Sequence, residues 1–118
     1  MELIEHIAAY LNGNVLPTVT GIMPPYPDRC AAVYATGVRP HSDDEGSRFQ
    51  VIVRSERNTD TAMCDAMAIV DMLDDFTGVT GIDSPYFARI QLEGGVAALG
   101  ADENDRLTYS ANFRAWIC

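Results

Sequence analysis

The stretch that most constrains the fold runs from Ser47 to Phe76, SRFQVIVRSERNTDTAMCDAMAIVDMLDDF. Phe49, Val51 and Val53 alternate with mostly polar residues, and this period of two predicts a strand with one buried face. Residues 58 and 59 then offer helix-capping side chains, residue 60 places an acid in the first turn, and apolar residues recur at helical spacing to the end of the stretch. A strand that leads directly into an amphipathic helix predicts a sheet with the helix folded back onto it.

The flanking segments predict one more helix and further strands. Residues 3–11 carry apolar side chains at helical spacing, whereas residues 30–36 form a short apolar run typical of a buried strand. Residues 86–93 and 107–115 alternate and predict a hairpin, with residues 96–99 continuing its first strand. Before Arg29, prolines and glycines forbid a helix and limit any strand to a short edge around residues 19–23.

Together these elements predict a single α+β domain that spans residues 1–118. We expect a mainly antiparallel sheet of about four strands, with two helices packed on one of its faces. A chain of 118 residues is long enough for one substantial core and too short for a second.

The charge of the chain argues against binding to nucleic acid. Eight basic residues against 17 acidic ones give a net charge of −9, so the positive footprint that neutralises phosphates is missing. The three cysteines are widely spaced and odd in number, which predicts neither a disulfide framework nor a zinc site. No apolar run reaches the roughly 18 residues of a membrane span, and the first residues do not resemble a secretion signal. We therefore expect a protein made in the cytoplasm, with no membrane contact.

No cluster of residues predicts a catalytic, cofactor or metal site. The loop RPHSDDEG contains His41 and three acids, but consecutive side chains in a loop point in different directions, so a solvated loop is favoured over a metal site. Asp102 and Asn104 begin like a calcium-binding loop, yet Arg106 stands where a third oxygen ligand is required. No signature places either histidine beside a nucleophile. The sequence thus favours a protein that is not an enzyme.

Apolar side chains are expected on the outside of two elements. Cys64 and Met67 fall among aspartates on the outer side of the second helix, and Trp116 falls on the outward row of the last strand. Two interpretations are open: these residues lie at the boundary of the core, or they bind a neighbouring subunit. A neighbour's arginines could also offset the aspartates that oppose the dipole at the end of this helix. The candidates are Arg48, Arg54 and Arg114.

Three segments carry a resemblance to a known family: IMPPYPDRCAAVYATGVRP, FQVIVRSERNTDTAMCDAMAIVDML and ADENDRLTYSANFRAW. Together with the order of the elements, they are similar to the tail-completion and minor capsid proteins of tailed bacteriophages, the group that includes tail terminators. The resemblance covers nearly the whole chain, and Val38 departs from it where a second glycine is expected.

The resemblance implies a structural protein of the virion, made in the host cytoplasm and without a cofactor. Similar proteins form a homo-oligomeric ring, typically a hexamer, at the head-proximal end of the tail tube. Such a ring stops growth of the tube and binds the head connector or stopper protein, and DNA passes through its lumen as cargo. The alternative is a small cytoplasmic α+β module that binds a protein or ligand without catalytic activity.

The residues expected to contact other subunits or tail proteins are chosen for their predicted exposure. They lie in two polar loops and on the outward sides of the central strand, the second helix and the last strand. They are Arg39, His41, Asp43, Asp44, Glu45, Arg48, Arg54, Cys64, Met67, Asp102, Glu103, Arg106, Arg114 and Trp116.

Overall fold

The computed structural model describes residues 3–37 and 46–118, and this part of the chain forms two helices and one five-stranded sheet. In chain order the elements are α1 (Leu3–Asn14), β1 (Thr18–Thr20), β2 (Cys30–Gly37), β3 (Ser47–Arg54), α2 (Thr61–Leu73), β4 (Phe87–Ala101) and β5 (Leu107–Ile117). The prediction of an α+β fold is confirmed. The sheet has five strands rather than about four, because the short segment β1 forms a strand of its own.

The strands lie in the order β1-β2-β3-β5-β4. β1 pairs with β2 in parallel, and all other neighbours are antiparallel, so the sheet is mostly antiparallel as predicted. β4 and β5 form the predicted hairpin and place β4 at one edge. The central strand β3 pairs with β5 from Ser47↔Ala115 to Arg54↔Thr108, which aligns the buried residues of the two strands on one face.

Both helices pack on this face of the sheet and share one apolar core. Phe49 of β3 lies opposite Phe113 of β5, and their rings stack at 5.3 Å with neither residue exposed to solvent. α1 adds its apolar stripe to this cluster, and α2 adds Ala62, Ala66, Ile69 and Leu73. The alternation in β3 and the helical spacing in α2 thus converge on the same core, as the sequence predicts.

The alternation predicted for β4 is broken at its start. Phe87 and Ile90 are both fully buried, although they fall on opposite sides of a regular strand. A register shift between Phe87 and Arg89 opposite β5 brings both side chains to the core and leaves Tyr86 and Ala88 exposed. A second irregularity separates Glu93 from Ala97, where Gly94 and Gly95 interrupt the strand.

The start of α2 is capped by different side chains from those predicted. Ser55 Oγ accepts a hydrogen bond from the backbone N–H of Ala62 at 2.7 Å, whereas the hydroxyl of Thr59 donates to the carbonyl of Glu56. Asp60 holds the N-cap position, but its carboxylate accepts a hydrogen bond from the Tyr109 hydroxyl at 3.0 Å instead of capping the helix. The N-terminus of α2 is therefore joined to the sheet in two ways: by the chain that connects it to β3 and by this hydrogen bond to β5.

A proline segment, residues 24–28, is held against the sheet face opposite the helices. Arg54 donates from Nε to the carbonyl of Asp28 at 2.7 Å and from its terminal nitrogen to the carbonyl of Pro27 at 2.6 Å. Arg106 donates to the carbonyl of Pro25 and to the Asp28 carboxylate, each at 3.1 Å. Prolines carry carbonyl oxygens but no N–H, so this segment needs donors from elsewhere, and the two guanidinium groups supply them.

The positions of Arg54 and Arg106 correct the sequence prediction, which placed both at an interface with other proteins. Arg54 retains only 5% of its accessible surface and Arg106 only 8%. The alternation correctly assigned Arg54 to the face that looks away from the helices. That end of the face is covered by the proline segment, which the strand period does not reveal.

A buried acid on α2 fixes the end of the same segment. Asp65 accepts two hydrogen bonds from the Arg29 guanidinium, each of 2.8 Å, and Arg29 also donates to the carbonyl of Val15 at 3.1 Å. Asp65 is only 8% exposed and was not singled out from the sequence. The signal was present, because an acid between Ala62 and Ile69 interrupts an apolar stripe and a buried acid requires a partner.

The two arginines of β3 provide a matched test of this arrangement. We expect Arg54→Ala to lower the free energy of unfolding by about 2–3 kcal/mol, because it removes the charge-assisted hydrogen bonds of a buried guanidinium to the carbonyl groups of Pro27 and Asp28. Arg48→Ala, at the exposed end of the same strand, should change it by less than about 0.5 kcal/mol. Urea unfolding followed by circular dichroism measures both, and equal effects of the two substitutions would contradict the buried role of Arg54.

Acid should weaken the hairpin turn through Asp102. Desolvation raises the pKa of this carboxyl, but hydrogen bonds from the backbone N–H groups of Arg106 and Asn104 and from the Arg106 guanidinium outweigh it and hold the pKa below the ordinary 3.8. A carboxyl with a depressed folded-state pKa contributes stability that is complete above its unfolded pKa and is lost as the pH falls through the folded value. Wild-type protein should therefore melt at a higher temperature than Asp102→Asn at pH 7, and the gap should close below about pH 4. A gap that stays constant from pH 7 to pH 3 would contradict this.

Candidate assembly surfaces

The part of the sheet beyond the proline segment forms an accessible surface, here termed the open face. Arg48 and Asn112 are exposed on it, and Tyr34, Gln50 and Ile52 are half-buried. These residues are cross-strand neighbours, because Gln50 pairs with both Tyr34 and Asn112. The remaining members of the open face are Glu93, Arg114 and Trp116.

Two arginines share one acid on the open face. Glu93 lies 3.4 Å from Nε of Arg48 and 2.9 Å from a terminal nitrogen of Arg114. The Arg114 guanidinium also lies 5.9 Å from the centre of the Trp116 ring, within range of a cation–π interaction. Two cations against one anion leave a local positive excess in a chain whose net charge is −9.

The outer face of α2, here termed the Met face, exposes a short apolar stripe. Met63 and Met67 lie four residues apart and are 43% and 47% exposed, and Cys64 is exposed beside them. The predicted exposure of Cys64 and Met67 is confirmed, whereas Met63 was missed although its spacing from Met67 places it on the same face. Asp71 continues the stripe one turn further and is also exposed.

The aspartates that follow α2 are satisfied within the chain. Asp74 accepts a hydrogen bond from the backbone N–H of Leu92 at 2.9 Å, and Asp75 forms an ion pair with Arg89 at 3.1 Å. Asp74 and Asp75 therefore have partners within their own chain and do not need a neighbour's arginines. The reason is the turn after α2, which runs back along β4 and brings its donors within reach.

The β4–β5 turn contributes less than expected to an exposed surface. Within the β4–β5 turn, Glu103 is exposed, but Asp102 is half-buried because its carboxylate holds the turn together. The other predicted loop lies outside the described residues. Its predicted contacts are Arg39, His41, Asp43, Asp44 and Glu45.

Several exposed apolar side chains lie at the end of the sheet where β4 begins and β5 ends, here termed the apolar end. Ile82 is 95% exposed, and Val79, Tyr86 and Ile117 are each about half exposed. Cys118 closes this end by donating its backbone N–H to the carbonyl of Tyr86. Sequence reasoning missed the patch, although an isoleucine between Gly81 and Asp83 in a turn is a signal of exposed apolar surface.

The described residues offer no arrangement suited to catalysis. They contain no group of three or more histidine, cysteine or acidic residues that could hold a metal ion, and none of their helices is long and apolar enough to cross a membrane. Burial raises the pKa of the Cys30 thiol, which keeps it in the unreactive protonated form. An open groove of about 530 Å³ near the start of α2 is lined by Asn58, Thr59, Asp60, Ala101, Asp105 and Leu107, which include no nucleophile paired with a base.

Comparison with known proteins points to a single family. Among curated proteins, none matches this sequence. A chain in the virion of a native gene transfer agent particle has a similar fold, with a TM-score of 0.63 and 20% sequence identity over 94% of this chain and 83% of that chain. The profile of the family described as bacteriophage tail terminator protein matches residues 6–117. The chain therefore belongs to the bacteriophage tail terminator protein family and is a structural protein of a phage tail.

Proposed function

We propose that this protein forms a homo-oligomeric ring, a hexamer, at the head-proximal end of a phage tail tube. The ring stops growth of the tube and joins it to the head connector or stopper protein, so its place in the virion is the head–tail junction. The observation that carries the proposal is the family match, which extends over residues 6–117 and thus over both helices and all five strands.

The distribution of positive charge supports the passage of DNA through such a ring. Each of the seven arginines in residues 3–37 and 46–118 has an acid or a carbonyl group of the same chain as its partner. Guanidinium groups that already have such partners are poorly placed to bind the phosphates of DNA. The excess of carboxylates in the chain also repels these phosphates. A lumen built from this chain would let a polyanion slide without holding it.

The two ends of the subunit differ, as a protein that joins two different assemblies requires. The apolar end exposes Val79, Ile82, Tyr86 and Ile117, whereas the opposite end carries the acidic β4–β5 turn. A ring of parallel subunits presents these two ends on its two rims. One rim is then suited to an apolar contact and the other to a polar one, which supports contact with both the tube and the connector.

The assembly of the purified protein tests the proposal. We expect rings by light scattering and electron microscopy, and we expect added protein to cap tubes polymerised from the tail tube protein of the same phage and to shorten their length distribution. A buffer-only reaction and an unrelated acidic protein of similar size are the controls. A protein that stays monomeric and neither caps nor shortens tubes, yet binds a small molecule, would instead support the alternative of a binding module.

A further inference from the structure

A closed ring needs two different surfaces on every subunit. A contact in which both subunits use the same patch ends at a dimer, whereas a contact between two different patches repeats from one subunit to the next until the ring closes. The question is therefore which pair of surfaces this fold offers for a head-to-tail contact.

Pairing of sheet edges is poorly supported by the two edge strands. β1 has only three residues, it follows Pro17, and the backbone N–H of Thr18 already donates to Asn12 at 2.9 Å. β4 is long, but register shifts between Glu93 and Ala97 and between Ala98 and Gly100 interrupt its free edge. Short edges, prolines and bulges are the devices by which proteins prevent edge-to-edge pairing.

We propose that the Met face of one subunit packs on the open face of the next subunit in the ring. This inference rests on the proposed function, because it assigns the contact that builds the ring. The Met face belongs to the helical layer, and the open face lies on the other side of the sheet. A contact between them stacks the helical layer of one copy on the bare sheet of another, and the growing assembly keeps one free surface of each kind until the ring closes.

The charges of the two surfaces are complementary. Asp71 extends the Met face with an exposed carboxylate that has no ion-pair partner among the described residues. The open face presents Arg48 and Arg114 around the single acid Glu93. The acidic helix surface of one copy thus meets the only surface described above on which arginines outnumber acids, and such complementarity fixes the orientation of docking.

The apolar groups are also suited to one another. Met63 and Met67 are unbranched and flexible, so they adapt to an uneven surface better than branched side chains do. The open face offers Ile52 and Tyr34, each half-buried and flanked by polar side chains. An apolar centre with a charged rim is the usual organisation of an interface between proteins.

Two single substitutions test the contact from its two sides. Met67→Glu damages the Met face and leaves the open face intact, whereas Arg48→Glu does the reverse. Each variant alone should lose ring formation, with self-association roughly tenfold weaker or more. Both positions are exposed, so the circular dichroism spectra and melting temperatures of the monomers should match those of wild type. Met63→Glu provides a second Met-face variant in case Met67→Glu disturbs folding.

Mixing the two variants identifies the kind of contact. The intact Met face of Arg48→Glu can pack on the intact open face of Met67→Glu, and the resulting pair has no further intact surface with which to grow. Light scattering of the equimolar mixture should therefore show a species of twice the monomer mass and no rings. Ile22→Glu, a change of a 90% exposed apolar residue outside both surfaces, is the control and should form rings like wild type.

The outcomes separate this inference from the proposed function. Wild-type rings that cap tubes, together with variants that form the same rings, would overturn the inference and leave the function standing. Two folded, monomeric variants that fail to pair on mixing would also overturn it, because a head-to-tail contact requires that pair. A wild-type protein that forms no ring even with tubes present would overturn both.

Discussion

The structure depends on the hydrogen bonds that Arg54 and Arg106 make to the proline segment. This segment contributes carbonyl groups and few N–H groups, so it cannot join the sheet as a strand. The two guanidinium groups satisfy those carbonyls and hold the segment over one end of the sheet, and Arg29, the residue after the segment, binds Asp65 on α2. A polar network of this kind stabilises because each charge has a partner, and it becomes costly when one partner is removed.

The same network defines the surfaces that remain for assembly. Cys30 is buried at the end of the sheet face that this network covers, whereas Tyr34 and Arg48 lie towards the other end and remain accessible. The network also buries Arg54 and Arg106, whereas Arg48 and Arg114 remain on the open face. The charge of the open face, with two arginines around one acid, is complementary to that of the Met face, which ends in the exposed carboxylate of Asp71.

These features of the subunit are suited to assembly with other proteins. Its helices cover one side of the sheet, its other side is partly bare, and its two ends differ in polarity. Each asymmetry corresponds to a separate requirement of the proposed ring at the head–tail junction: a head-to-tail contact between subunits and a distinct partner on each rim. The described arginines are paired with acids or carbonyl groups of the same chain, which agrees with the proposed lumen through which DNA moves without being bound.

The sequence by itself determined the fold class, the position of nearly every element and the exposure of Cys64 and Met67, because these follow from periods of 2 and 3.6 residues that act locally. It also carried the resemblance that the family match later bore out. Only the tertiary structure decided the burial of Arg54, Arg106 and Asp65, because the groups that bury them lie 26 to 81 residues away along the chain. Periodicity states which face of an element a side chain occupies, but whether that face meets water, a proline segment or another subunit depends on what the rest of the chain places over it.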